Sequence, residues 1–117
     1  MDINQKDINN MLGDIDKLKN CLDYNRDIGI FIKKFKNDLN ILFEMVKDDE
    51  GDFRRNLVVL LLDIVDQINI YEFNVEKLDV IKDMTRSLLG KVTGEKLDYY
   101  ISLTIEKNIY VVRTRRI

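Results

Sequence analysis

The most apolar stretch of the chain is NLVVLLLDIVDQINIY, at residues 56–71, and it has almost no polar face. Apolar residues recur there at helical spacing, as at Leu57, Leu61 and Ile68. Its leucines and valines could also form a buried strand, but this spacing favours a helix. A helix that is apolar nearly all round is normally buried on several sides. We therefore predict a central helix over about residues 53–71, enclosed by the other elements.

A second pattern lies in the first 22 residues, where apolar side chains alternate at steps of three and four. These side chains, which we call the seam, are Ile8, Met11, Ile15, Leu18 and Leu22. The spacing is that of the a and d positions of a coiled coil, but it covers about two heptads, fewer than a free coiled coil needs. The seam is therefore predicted to pack within its own domain, with an interaction surface for a second chain as the alternative.

Another amphipathic helix is predicted over about residues 28–47. Its apolar stripe consists of Ile28, Phe31 or Ile32, Phe35, Leu39, Leu42 and Val46. The opposite face is charged and includes Lys34, Asp38 and Glu44. We interpret this face as solvated surface, because the polar side of an amphipathic helix normally meets water.

The remaining boundaries follow from loop and capping residues. KDDEGD, at residues 47–52, is the clearest loop. Asn74 is a good N-cap for a fourth helix over residues 75–89, and a fifth helix begins near Glu95. Short connections of this kind join neighbouring helices of a bundle. The sequence thus predicts an all-α fold, a compact bundle of about five helices around the central apolar helix, forming one domain over residues 1–117.

The net charge and the cysteine content limit the partners and the cellular location that the sequence predicts. The net charge is −2, so no global field favours nucleic acid or an anionic membrane. Residues 1–52 nevertheless carry a net charge of −4 and residues 86–117 a net charge of +4. Cys21 is the only cysteine, which excludes an internal disulfide and suits a reducing, intracellular (cytoplasmic) location. No apolar run approaches the ~18 residues of a membrane span, so no membrane partner is predicted.

The composition also excludes most enzyme signatures. The chain has no histidine, hence no Ser-His or Cys-His pair, and no glycine-rich phosphate loop. Asp63 and Asp66 share one helix face, as do Asp79 and Asp83, and a facing quartet could hold Mg²⁺ or Mn²⁺ in a metal-dependent enzyme. Carboxylates at such spacing usually face water. We therefore predict no catalytic residue, no metal and no cofactor, and keep the metal-dependent enzyme as a second alternative.

The C-terminal segment offers a possible nucleic-acid-binding set. Its basic and aromatic residues are Lys107, Tyr110, Arg113, Arg115 and Arg116, and the tyrosines Tyr99 and Tyr100 precede them. Aromatic rings can stack on bases while cations meet phosphates. Tyrosines at helical spacing are, however, more often core residues.

Together these patterns predict a small non-enzymatic interaction module, such as an adaptor, an inhibitor or an accessory subunit, that acts through protein–protein contacts. Its partner is expected to be another protein or a second copy of the chain, a homodimer included. A nucleic-acid-associated subunit that uses the basic C-terminal segment is the first alternative.

Overall fold

The apolar stripes of the sequence form five α-helices in the computed structural model, which describes residues 3–24, 28–68, 73–90 and 94–106. The helices are α1 (Gln5–Tyr24), α2 (Gly29–Val46), α3 (Phe53–Asp66), α4 (Val75–Arg86) and α5 (Gly94–Glu106). A 3₁₀ turn, Ser87–Leu89, follows α4. The described residues include no strand. The predicted all-α bundle of five helices is confirmed.

Helix α3 lies at the centre of the bundle, in contact with α2, α4 and α5. Its buried side chains are Leu57, Val58, Leu60, Leu61, Ile64 and Val65. Leu61 and Ile64 have no exposed surface at all. This burial confirms the prediction from the most apolar stretch, and it is completed by α2, α4 and α5, whereas α1 packs on α2 and α4.

The end of α3 differs from the prediction, because the helix stops at Asp66 instead of near residue 71. The amide of Gln67 donates to the carbonyls of Asp63 and Ile64, and the amide of Ile68 donates to Val65. Bonds to the third preceding residue tighten the last turn of a helix and end it. Residues 69–72, which the prediction assigned to the same helix, lie outside the described part of the chain.

The start of α3 is fixed by a turn and a cap. Gly51 adopts a φ of 82°, the left-handed region that glycine enters at low cost. Asp52 then caps the helix, since its Oδ1 accepts a 2.8 Å hydrogen bond from the amide of Arg54. The guanidinium of Arg54 also meets Asp52, with Nη2 2.7 Å from Oδ2. Both carboxylate oxygens of Asp52 are thus satisfied.

The predicted cap of α4 is also present, because Oδ1 of Asn74 accepts a 3.0 Å hydrogen bond from the amide of Lys77. Cys21 is free, as expected of a single cysteine, and it is buried. Within the described residues, no helix combines the length and the apolar character needed to cross a membrane.

Candidate interaction surface

The seam lies inside the molecule. Ile8, Met11, Ile15 and Leu18 are each 2% exposed or less, and Leu22 is half-buried. They belong to the main hydrophobic core, where α1 packs against α4 and α2. The structure therefore has the intramolecular arrangement of the two that the spacing allows. In this conformation the seam offers no surface to a second chain.

A half-open groove of about 120 Å³ lies instead between the outer edges of α1 and α2. Its polar lining comes from Asp7, Asn10 and Asp38, and its apolar lining from Met11, Ile41 and Leu42. Ile41 is 61% exposed, which makes it one of the most exposed large apolar side chains of the described residues. The groove therefore combines carboxylates with an accessible aliphatic edge.

The N-terminus of α1 holds one side of this groove in place. The carbonyl oxygen Oδ1 of Asn4 accepts a 3.1 Å hydrogen bond from the amide of Asp7, and Oδ2 of Asp7 accepts one of 3.1 Å from the amide of Asn4. This reciprocal pair satisfies two amides at the helix start, as a capping box does. The Asp7 carboxylate is thus part of the helix cap as well as of the groove wall.

Beside the groove, Asp14 is buried to the same degree as the apolar core, with only 2% of its surface exposed. Its Oδ1 lies 3.3 Å from Nζ of Lys34, whose side chain is 56% exposed. Its Oδ2 is buried and has no hydrogen-bond donor within the described part of the chain. A buried carboxylate oxygen without a donor is costly, since it has lost water and gained nothing in return.

The packing of α1 on α2 brings Asp38 to this carboxylate. Nζ of Lys17 lies 5.9 Å from the centre of the Phe31 ring, and Asp14 is paired with Lys34. Residue numbers thus increase along α2 while those of the residues they contact decrease along α1. The two helices are therefore antiparallel. Asp38 follows Lys34 by one turn and comes within hydrogen-bonding reach of Asp14.

This neighbourhood raises the pKa of Asp38 from its ordinary 3.8 to about 6. Partial burial is the largest cause, followed by the hydrogen bond with the Asp14 carboxyl and by repulsion from its charge. Lys34 acts in the opposite direction, because its positive charge favours the ionised form. The sequence interpretation of Asp38 as freely solvated surface is corrected here, since the side chain is half-buried.

The nucleic-acid candidates fall into two groups. Lys107, Tyr110, Arg113, Arg115 and Arg116 lie outside the described residues. Of the preceding tyrosines, Tyr100 is fully buried and its hydroxyl is hydrogen-bonded to that of Ser87. Tyr99 is 53% exposed, with its ring centre 5.9 Å from that of Tyr100. Tyr100 is thus a core residue that anchors α5, and its ring has no free face for a base.

The four carboxylates of the metal alternative do not form a site. Asp66 is paired with Lys36 across α2 and α3, and Asp79 and Asp83 are exposed on α4. Among the described residues, no group of three or more acidic, cysteine or histidine side chains is arranged to hold a metal ion. Asp63 is half-buried on α3. The structure therefore does not assemble the quartet that the spacing allowed.

Sequence reasoning missed the Asp14–Asp38 pair, although one signal was present. Asp14 stands three residues after Met11 and four before Leu18, so it shares a helix face with two seam residues. A carboxylate in that position is buried once both neighbouring helices pack. The contact with Asp38 depends on the pairing of α1 with α2, which local spacing does not give.

Comparisons with known proteins identify no relative. The chain matches no protein-family model, no curated protein and no solved structure at a significant level.

Proposed function

We propose that the chain is a small non-enzymatic interaction module that binds a protein partner through the groove between α1 and α2. The observation that carries this proposal is the combination, on one surface, of the exposed Ile41 with the carboxylates of Asp7 and Asp38. An apolar side chain flanked by specific polar groups is the usual anatomy of a binding surface. Single exposed apolar residues are common, so the combination counts for more than Ile41 alone.

The charge of this half of the chain indicates the kind of partner. Residues 1–52 carry 12 acidic and 8 basic side chains. A partner that presents a basic side chain next to an apolar one would complement both the carboxylates and Ile41. Lys34, one turn before Asp38 on α2 and paired with Asp14, limits the attraction and favours a partner that also accepts a hydrogen bond.

Site-specific photo-crosslinking tests this proposal. A photoreactive phenylalanine analogue replaces Ile41 in one variant and Val75 in another, and both are expressed in the cells that naturally make the chain. Val75 is the matched control, since it is an exposed apolar residue, 40% exposed, on α4 and away from the groove. The expected result is a discrete adduct from position 41 that position 75 does not give.

Two outcomes would count against the proposal: no adduct from position 41, or the same adducts from both positions. The purified Ile41 variant, irradiated alone, separates the two kinds of partner. An adduct of twice the chain mass under that condition identifies a second copy of the chain. Adducts that form only in cells identify a different protein.

A further inference from the structure

The buried carboxyl of Asp14 lacks a hydrogen-bond donor from the described residues at one of its two oxygens. Its Oδ2 has lost contact with water, and no amide, hydroxyl or amine of the described residues donates to it. On the facing helix, Asp38 lies one turn beyond Lys34, and its carboxyl interacts with that of Asp14. Two ionised carboxylates in contact repel each other, whereas a protonated carboxyl donates a strong hydrogen bond to an ionised one.

We propose that Asp14 and Asp38 share one proton across the interface of α1 and α2, and that the packing of these two helices is therefore sensitive to pH. When the shared proton is present, it supplies the missing hydrogen bond to Oδ2 of Asp14. When it is lost, two negative charges face each other beside a groove that water can enter. This proposal is independent of any partner and does not rest on the function proposed above.

The charged groups around the pair are few. From α1, Asp14 itself and Asp7 face the region of Asp38, and from α2, Lys34 does. Helix α4, which packs on α1, places its Lys82 3.3 Å from Asp16 instead. One ammonium therefore faces two carboxylates in contact, so the cluster carries an excess negative charge that a proton can neutralise.

The raised pKa of Asp38 agrees with this arrangement and sets its range. Since the pKa is about 6 in the folded chain and 3.8 ordinarily, the folded state binds the proton more tightly than the unfolded state. The stabilisation is complete below about pH 4 and is lost as the pH rises through about 6. The interface is thus tightest in mild acid and loosens toward neutral pH.

Carboxyl-carbon NMR of the wild-type chain, titrated between pH 3 and pH 8, measures this directly. The expected result is that the carboxyl-carbon shift of Asp38 changes with a midpoint well above the pH at which an ordinary aspartate titrates. In Asp14→Asn, the midpoint of the Asp38 titration should move to lower pH. In the control Asp16→Asn, which removes an exposed carboxylate of α1, it should stay in place.

If Asp38 of the wild-type chain titrates at the pH of an ordinary aspartate, the proposal is overturned. This outcome requires no variant to fold. A midpoint of the Asp38 titration that is raised in the wild-type chain but unchanged in Asp14→Asn would overturn it as well, because burial alone would then explain the shift. The amide spectrum recorded in the same experiment shows whether each variant remains folded.

Discussion

Helix α1 buries two kinds of side chain equally well, and they are stabilised in different ways. Ile15, in the seam, is 1% exposed, and Asp14, its neighbour in the chain, is 2% exposed. Ile15 needs only contact with other apolar atoms, which the core supplies without regard to direction. Asp14 needs a donor for each oxygen, and its Oδ2 has none among the described residues.

This difference indicates which parts of the molecule can respond to pH or to a partner. The energy of the seam and of the buried face of α3 comes from apolar burial, which changes little with pH. The region that we call the α1–α2 edge consists of the groove together with Asp14, Lys34 and Asp38. Its energy depends also on one shared proton and on Lys34, whose side chain reaches solvent. We therefore expect the core to set the stability of the fold, and the α1–α2 edge to sense pH and partners.

The largest expected effect is in the core. Leu61→Ala should lower the free energy of unfolding by about 2–5 kcal/mol, because it leaves a cavity at a fully buried site of α3. Urea denaturation followed by circular dichroism measures this. The matched control is Ile30→Ala on α2, where the side chain is 66% exposed and the change should stay within about 0.5 kcal/mol. Equal losses in the two variants would contradict the assignment of α3 to the core.

A smaller effect is expected where a carboxylate is fully satisfied, in contrast to Asp14. Asp52→Ala should cost about 0.5–2 kcal/mol, because it removes the N-cap of α3. Hydrogen bonds from Arg54 lower the pKa of Asp52, so this contribution is present above the ordinary value and is lost as the pH falls below it.

The control for that variant is Asp49→Ala, an exposed position in the same loop. Thermal or urea unfolding at pH 7 and at pH 3 should show a difference between the two variants that shrinks in acid. A difference that persists unchanged at pH 3 would show that the charge of Asp52 is not involved.

The sequence predicts the core better than the α1–α2 edge for a physical reason. Burial of α3 follows from a local property, the near absence of a polar face around Leu61. The bundle follows from the spacing within each helix. The contact of Asp14 with Asp38 joins residues 24 positions apart, and its existence depends on how α1 is rotated against α2. The spacing of apolar residues along each helix does not determine that rotation, and for this reason the sequence predicts Asp38 to be solvated surface.

A stabilising change is expected at Gly13, which lies within α1. A Cβ added there would meet no atom within 4 Å, so Gly13→Ala should raise the free energy of unfolding by about 1 kcal/mol through helix propensity. Gly51→Ala should do the reverse, since Gly51 has a positive φ that alanine rarely adopts. Urea denaturation of both variants checks the contrast. A destabilised Gly13→Ala would mean that α1 packs more tightly there than the structure has it.

The smallest effect is expected at the α1–α2 edge. At pH 7, Asp38→Asn should raise the free energy of unfolding by about 0.5–1 kcal/mol, because an amide can donate to Oδ2 of Asp14 and carries no charge. The gain should disappear near pH 4, where the wild-type carboxyl carries its own proton. Asp79→Asn, on the exposed face of α4, is the control. A loss of stability at pH 7 would contradict the repulsion between the two carboxylates.

Thiol labelling of Ile15→Cys and Ile41→Cys under native conditions tests the central contrast most directly, with buried Cys21 as the internal reference. Position 41 should react freely. Position 15, like buried Cys21, should react at least about a hundredfold more slowly, because the helix must open first. Dilution of the protein should leave both rates unchanged, since the seam is covered by its own chain. Rapid labelling at position 15 would show that the seam is accessible, and labelling that accelerates on dilution would show that a second chain covers it; either result would contradict the account.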